Sequence, residues 1–294
     1  MYQRILLLIL LPFLGFSQVP QAINDNLFIK SSSFNLDELK VRWKKAALEN
    51  CPGVPCSPSF TCGTNTVLDI DGNAYNTVLI GTQCWTKTNL KVTKYNDGAL
   101  IGDSTTSTWG TALIGARTGY DISLVSLSDY VGTFGYLYNW YAVNDPRNLC
   151  PDGWHVPTDA EWTIMIQALD PSQAVNSGNV STFTHIQSAT AGTALKSNVT
   201  NPSMGSGLGW EPGPPGTNTS GFSALPGGFR DSGGSLLIRS DAVFWSATEN
   251  GPSSAWLRGL VYGIGNVGRY DDINRSSGFY FNKSYGFSIR CLKD

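Results

Sequence analysis

The stretch Cys150-Pro-Asp-Gly-Trp-His-Val-Pro-Thr-Asp-Ala-Glu-Trp162 constrains the fold more than any other part of the chain. Pro151, Asp152 and Gly153 are turn formers placed directly after a cysteine. Trp154, His155 and Val156 run extended, because the residue before Pro157 is pushed out of the helical region. Thr158 and Glu161 have capping-box spacing, so a helix begins at Asp159, whose charge suits the positive helix end. Trp162, Ile166 and Leu169 then recur at helical spacing, with Met165 beside them. The block reads as a brace, with Trp154 and Trp162 in a core and Cys150 holding another part of the chain.

The cysteines say what Cys150 holds. Six of them stand at Cys51, Cys56, Cys62, Cys84, Cys150 and Cys291. Spacing alone leaves many pairings open; Cys51–Cys56, Cys62–Cys84 and Cys150–Cys291 are preferred. The last would staple the block to the end of the chain, a constraint of about 4–5 kcal/mol in the entropy model. Zinc is the rival explanation, but there are only two histidines and no Cys-x-x-Cys pair. Disulfides need an oxidising compartment, and the first residues supply the route. Arg4 precedes an apolar run from Ile5 to Phe16, and the small Gly15 and Ser17 place a cleavage after Ser17. A retained anchor is the alternative, although the run is short for a bilayer. No cysteine follows closely enough for a lipid anchor. Residues 1–17 therefore read as a signal peptide. The mature chain is expected to be secreted or on the extracellular surface, with the periplasm also open, and to carry no transmembrane segment.

Residues 18–62 read as a linker, an amphipathic helix and a pinned connector. Asn35 caps the helix, and Leu36, Leu39, Trp43 and Ala47 form its apolar stripe. It packs on the main domain or docks on a partner. Three prolines between Cys51 and Cys62 exclude regular structure there. The main domain spans 63–294. Val67 to Ile70 and Tyr75 to Ile80 form a hairpin around Asp71-Gly72. Asp69, Asp71 and Asn73 invite a calcium reading, but the downstream glutamate of a calcium loop is missing, and turn chemistry explains them better. The aromatic run Gly135 to Val143 is strand or short helix and reads as core rather than a ligand platform. One helical turn is expected at Ala191–Leu195, within a polar loop region from 170 to 220. The closing third is β-rich: a Gly-Gly turn at Gly233-Gly234, strands at Leu236–Ile238, Phe244–Thr248 and Ala255–Tyr262, and an alternating final strand Gly286–Leu292.

Four segments in this order resemble the Fibrobacter succinogenes major paralogous domain, a family of exported bacterial proteins. They are Gly81-Thr-Gln-Cys-Trp85 with Asn89-Leu90; the Cys150–Trp162 block; Phe222-Ser-Ala-Leu-Pro-Gly-Gly-Phe-Arg230 with Phe244-Trp-Ser-Ala-Thr248; and Gly286-Phe-Ser-Ile-Arg-Cys-Leu292. The resemblance extends distantly to formylglycine-generating-enzyme-like and C-type-lectin-like domains. It implies an α+β, C-type-lectin-like fold: a twisted, mainly antiparallel sheet, flanking helices, long irregular loops, and first and last strands close together. It implies no reaction.

The residues themselves argue against several chemistries. His155 lies in a structural block and reads as a buried, hydrogen-bonded histidine; His185 has no motif around it. The copper-holding cysteine pair of the formylglycine-generating enzymes is not matched, since Cys291 stands alone in its segment. Asp231, Asp241, Glu249, Asp271 and Asp272 do not single out a glycosidase pair. They could hold Ca2+, the one cofactor the sequence leaves open, but Trp245-Ser-Ala-Thr-Glu249-Asn250 does not match the sugar-binding lectin motifs. Trp256 and Tyr262 could stack on a sugar. A net charge of -2 gives no electrostatic case for nucleic acid. The expected function is a non-catalytic exported binding module, for glycan or envelope protein, using the loops between 196 and 276. An enzyme on the same scaffold and a surface protein docking through its N-terminal helix are the alternatives. The oligomeric state is open.

Overall fold

The computed structural model describes residues 60–103, 109, 113–120, 127–172, 186–198, 209–211, 216–270 and 281–294. The signal peptide, the helix at Asn35, Cys51, Cys56, His185, Asp271 and Asp272 lie outside these residues. Phe60–Asp294 forms one compact unit. Its elements are mixed, with mostly antiparallel sheets and few helices.

Strands β1 (Thr66–Leu68) and β2 (Ala74–Ile80) pair antiparallel as the expected hairpin. Its turn uses Gly72 at φ 83, a left-handed conformation that suits glycine. The Asp69 carboxylate accepts the backbone N–H groups of Asp71 and Asn73 and the Tyr75 hydroxyl, at 3.0, 2.9 and 2.6 Å. Turn chemistry thus employs the acid that invited the calcium reading. Strand β3 (Gln83–Thr86) continues this sheet.

A second, three-stranded sheet holds β4 (Gly102–Asp103), β5 (Ala116–Thr118) and β6 (Leu137–Tyr138), with α1 (Leu127–Phe134) between the last two in sequence. The aromatic run becomes β6 followed by α2 (Trp140–Val143), and it is core: Leu137, Tyr138, Trp140 and Ala142 are buried. Strand β7 (Trp154–His155) and helix α3 (Asp159–Leu169) realise the Cys150–Trp162 block. Both halves of the capping box are formed: Glu161 N–H donates to Thr158 Oγ1, and Thr158 N–H donates to Glu161 Oε2. Trp162, Met165 and Ile166 are buried, while Leu169 is only partly so.

Strand β8 (Ile186–Ser188) and helix α4 (Ala191–Leu195) follow. Strands β9 (Phe229–Asp231) and β10 (Gly234–Leu236) form a hairpin. Its two-residue loop is Ser232-Gly233, one place before the expected Gly-Gly turn. The reason is Asp231, whose Oδ1 accepts both the Gly233 and Gly234 N–H groups, at 2.7 and 3.0 Å. Leu237 then turns out of the strand at φ 58, so the strand expected over Leu236–Ile238 ends at Leu236. Strands β11 (Asp241–Glu249), β12 (Ala255–Val261) and β13 (Val267–Tyr270) join β8 in an antiparallel four-stranded sheet.

The closing segment departs most from expectation. Regular strand is confined to β14 (Leu292–Lys293), which lies between β3 and β7 and completes a five-stranded sheet. Before it, Gly286 bridges Arg230, Phe287 bridges Tyr138 and Ser288 bridges Phe244. The segment changes sheet at nearly every residue, so no long ladder forms. Yet the alternation in its sequence is used. Phe287, Ile289 and Cys291 enter one apolar core, with Trp245, Tyr138 and Cys150. Leu292 enters the other, with Trp85, Trp162, Phe222 and Phe244. Two disulfides brace this arrangement, Cys62–Cys84 and Cys150–Cys291, as the preferred pairing has it.

Arg290 is the cost of burying both faces. It is 1% exposed. Its guanidinium lies 4.2 Å from the Phe222 ring centre. It donates to Asn89 Oδ1 at 2.6 Å, to the Thr86 and Phe222 carbonyls at 2.9 and 2.7 Å, and to the Ser223 carbonyl at 3.2 Å. Ser223 presents that carbonyl from a left-handed backbone, at φ 56. Burial pulls the Arg290 pKa down to about 9. Four neutral acceptors stand where a carboxylate would otherwise be needed.

Candidate functional site

The acids and aromatics singled out in the sequence do not converge. Asp241 and Glu249 open and close β11, which puts them roughly 25 Å apart along the strand. Tyr262 belongs with the Asp241 end, its N–H donating to the Ser240 carbonyl at 2.8 Å. Asn250 and Trp256 belong with the Glu249 end, where Glu249 pairs Ala255. Asp231 is engaged in its own hairpin loop. Glu249 forms an ion pair with the buried Lys283, whose ammonium also faces the Trp140 ring. Asp241 accepts from Ser240 Oγ at 2.6 Å, and burial raises its pKa. Trp256 is half-buried with one face already covered: the Arg269 guanidinium stacks 3.7 Å from its ring centre.

That stack leads to a charged cluster at the start of α3, built on the buried Arg258 and Arg269. Asp159 takes Arg269 in a two-pronged pair, Nε to Oδ1 at 2.9 Å and Nη2 to Oδ2 at 2.7 Å. Arg258 donates to the same Oδ1 at 2.8 Å, and to Thr163 Oγ1 at 3.2 Å. Burial draws the Arg258 pKa to about 10. Burial alone would raise that of Asp159, but the two arginines hold it below the usual carboxylate range. Position one of a helix explains why an acid sits here, and two buried arginines from adjacent strands explain why it is held partly out of water. The sequence pointed to the first reason and not to the second, because the arginines are 99 and 110 positions away.

His155 is half-buried rather than buried. Its Nδ1 lies 2.5 Å from Asp294 Oδ1 and its Nε2 lies 3.0 Å from Glu161 Oε1. Burial would lower its pKa, but the two carboxylates outweigh this and raise it. A histidine held by two acids, one of which caps a helix and the other of which ends the chain, is a clamp. Neither ring nitrogen is left to take a proton from a substrate. Among the described residues no group of three or more His, Cys, Asp or Glu is placed to hold a metal ion.

A cleft among the described residues lies elsewhere, and the sequence reading missed it. It has a volume of about 550 Å³, within the range of small-ligand sites. Leu100, Leu113 and Ile114 line it at 71, 75 and 73% exposure. Asn139 sets the position of the wall that carries Ile114. Its Nδ2 donates to the Ile114 carbonyl at 2.8 Å, and its Oδ1 accepts the Ala116 N–H at 2.9 Å and the Ala142 N–H at 3.1 Å. The polar wall is Asp145 and Arg147, in a fork of 2.8 and 2.6 Å hydrogen bonds. Arg147 hydrogen-bonding lowers the Asp145 pKa. The guanidinium rests 4.0 Å from the centre of the Tyr95 ring. Burial and Asp145 push the Tyr95 hydroxyl up to about 12, so it stays a neutral donor. Half-exposed Tyr141 also lines the cleft. An apolar wall facing a fixed fork of donors and acceptors can bind an amphipathic ligand. The signal in the sequence was the pair Leu113-Ile114, which stands apolar within an otherwise polar stretch.

The model of the Fibrobacter succinogenes major domain family matches residues 78–293. No curated protein and no solved structure matches the chain.

Proposed function

The chain belongs to the Fibrobacter succinogenes major domain family, and from that premise we propose that it is an exported, non-catalytic binding module on a C-type-lectin-like scaffold. Its ligand is a glycan or an envelope protein. The observation that carries this reading is a contrast. The histidine and the acid of the Cys150–Trp162 block that could serve catalysis are tied into structural pairs. Three aliphatic side chains meanwhile stand open to water in one cleft. Exposed apolar groups gathered in this way mark interaction sites. Two disulfides support export to an oxidising compartment. No helix of the described residues is long and apolar enough to cross a membrane. The closing strand paired between β3 and β7 supports the lectin-like architecture.

The cleft is the primary ligand surface in this reading. The late-loop candidates Asp231, Asp241, Glu249, Asn250, Trp256 and Tyr262 are spread along β11 and its neighbours and rank second to it, and Asp271 and Asp272 lie outside the described residues. Arrays of glycans and of envelope proteins, run with and without chelator, test it. Binding that survives chelator and falls in the Leu113→Asp, Ile114→Asp double variant is expected. Chelator-sensitive sugar binding would move the site to the late-loop acids. Substrate turnover lost on changing those acids would replace the binding reading with an enzymatic one.

A further inference from the structure

The turn that joins β11 to β12 contains Asn250-Gly251, the one Asn-Gly pair in the chain. We propose that this pair is a site of spontaneous post-translational modification, assisted by Ser254, at which Asn250 is converted to aspartate and isoaspartate.

The conversion begins when the Gly251 amide nitrogen loses its proton to hydroxide. The charge left behind is shared with the Asn250 carbonyl oxygen, because the two belong to one peptide group. Ser254 Oγ donates to that oxygen at 2.8 Å. Ser254 is only 3% exposed, so the bond is shielded from competing water. A fixed donor on an oxygen that gains charge stabilises the charged state. The Asn250 N–H donates to the Ser254 carbonyl at 3.0 Å, which locks donor and acceptor together. The Lys283 ammonium adds positive charge nearby, donating to the Pro252 carbonyl at 3.1 Å.

The two reacting groups are uncommitted. The Gly251 N–H makes no hydrogen bond among the described residues, and Gly251 is exposed at φ 118, a backbone open to glycine. Asn250 Nδ2 has no hydrogen-bond partner. The Gly251 nitrogen attacks Cγ of Asn250, forming an N–C bond. The bond from Cγ to Nδ2 breaks, and ammonia leaves with a proton from water. Water then opens the five-membered imide at either carbonyl. The sum is amide plus water giving acid plus ammonia. The product places a second carboxylate beside Glu249, the ion-pair partner of buried Lys283. In its isoaspartyl form it also adds a methylene to the main chain at the end of β11.

The test uses the secreted chain incubated in mildly alkaline buffer, with peptide mass mapping over days. Wild type should gain the amide-to-acid mass at Asn250 and show split isoaspartyl and aspartyl peaks. Asn250→Gln should show neither. Ser254→Ala, checked for an unchanged near-UV spectrum, should convert roughly fivefold more slowly, the rate equivalent of one ordinary hydrogen bond. An unmodified Asn250 in wild type overturns the proposal. So does a Ser254→Ala chain, or a urea-denatured wild-type chain, that converts as fast as the folded wild type.

Discussion

Arg290 is charged and 1% exposed, whereas Ile114 is aliphatic and 73% exposed. Each sits where the other's chemistry would be at ease. Around Arg290 the protein supplies four oxygen acceptors and two aromatic faces. Around Ile114 it fixes the backbone through Asn139 and leaves the side chain in water. Burying such a side chain would gain about 1.5–3 kcal/mol, a gain the isolated chain leaves unrealised. The closing segment is therefore committed to holding the fold together, and the cleft is the proposed place for a ligand. Changes in the first region should move stability, and changes in the second should move binding.

The largest separation between the regions should come from the brace. Replacing Cys150 and Cys291 together by alanine opens a loop of 141 positions and should cost about 4–5 kcal/mol in urea unfolding. A loss below about 2 kcal/mol would mean that the seam holds without its staple. Next comes Asp159→Ala, which leaves Arg258 and Arg269 without their carboxylate. About 3–5 kcal/mol should be lost, measured the same way. An unchanged unfolding midpoint would make the cluster a bystander.

The His155 clamp should act more weakly, because the side chain is about a third exposed. Its folded pKa is raised, so its contribution is fully present below the ordinary value of 6.5 and fades as pH rises through the folded value. Glu161 is lowered from 4.5, so its share is present above that value and fades as pH falls through the folded one. The two overlap between about pH 4.5 and 6.5, where wild type should exceed His155→Gln in stability by up to about 1 kcal/mol. A difference that is the same at pH values well above this window would refute the clamp. Smallest of all should be the stability effect of Leu113→Asp with Ile114→Asp, within about 0.5 kcal/mol of wild type. A larger loss would put these side chains in the core, against their exposure.

The two regions were also unequally legible. The capping box, the hairpin around Asp71-Gly72 and the turn at α4 rest on neighbouring residues, and the sequence displayed them directly. The Cys150–Cys291 pairing was a preference that spacing alone left open, and the structure forms it. Arg290 was not, since a charged residue in an alternating strand reads as facing water. Only the second core behind it shows why it does not. Helix α1 was missed because Gly132, with β-branched Val131 and Thr133, conceals the helical spacing of Tyr130 and Phe134. The late-loop acids looked like one group along the chain and were parted by the length of β11. The cleft draws on residues from 95 to 147, and nothing local announces that Asp145, Arg147 and Ile114 face one space.

The contrast between seam and cleft is tested most directly by one paired measurement. Wild type and the Leu113→Asp, Ile114→Asp variant are applied to the same glycan and envelope-protein arrays after their urea unfolding curves have been matched. Ligand signals present for wild type and lost for the variant, with superimposable unfolding, are the predicted result. Signals that persist undiminished in the variant would contradict the assignment of binding to the cleft.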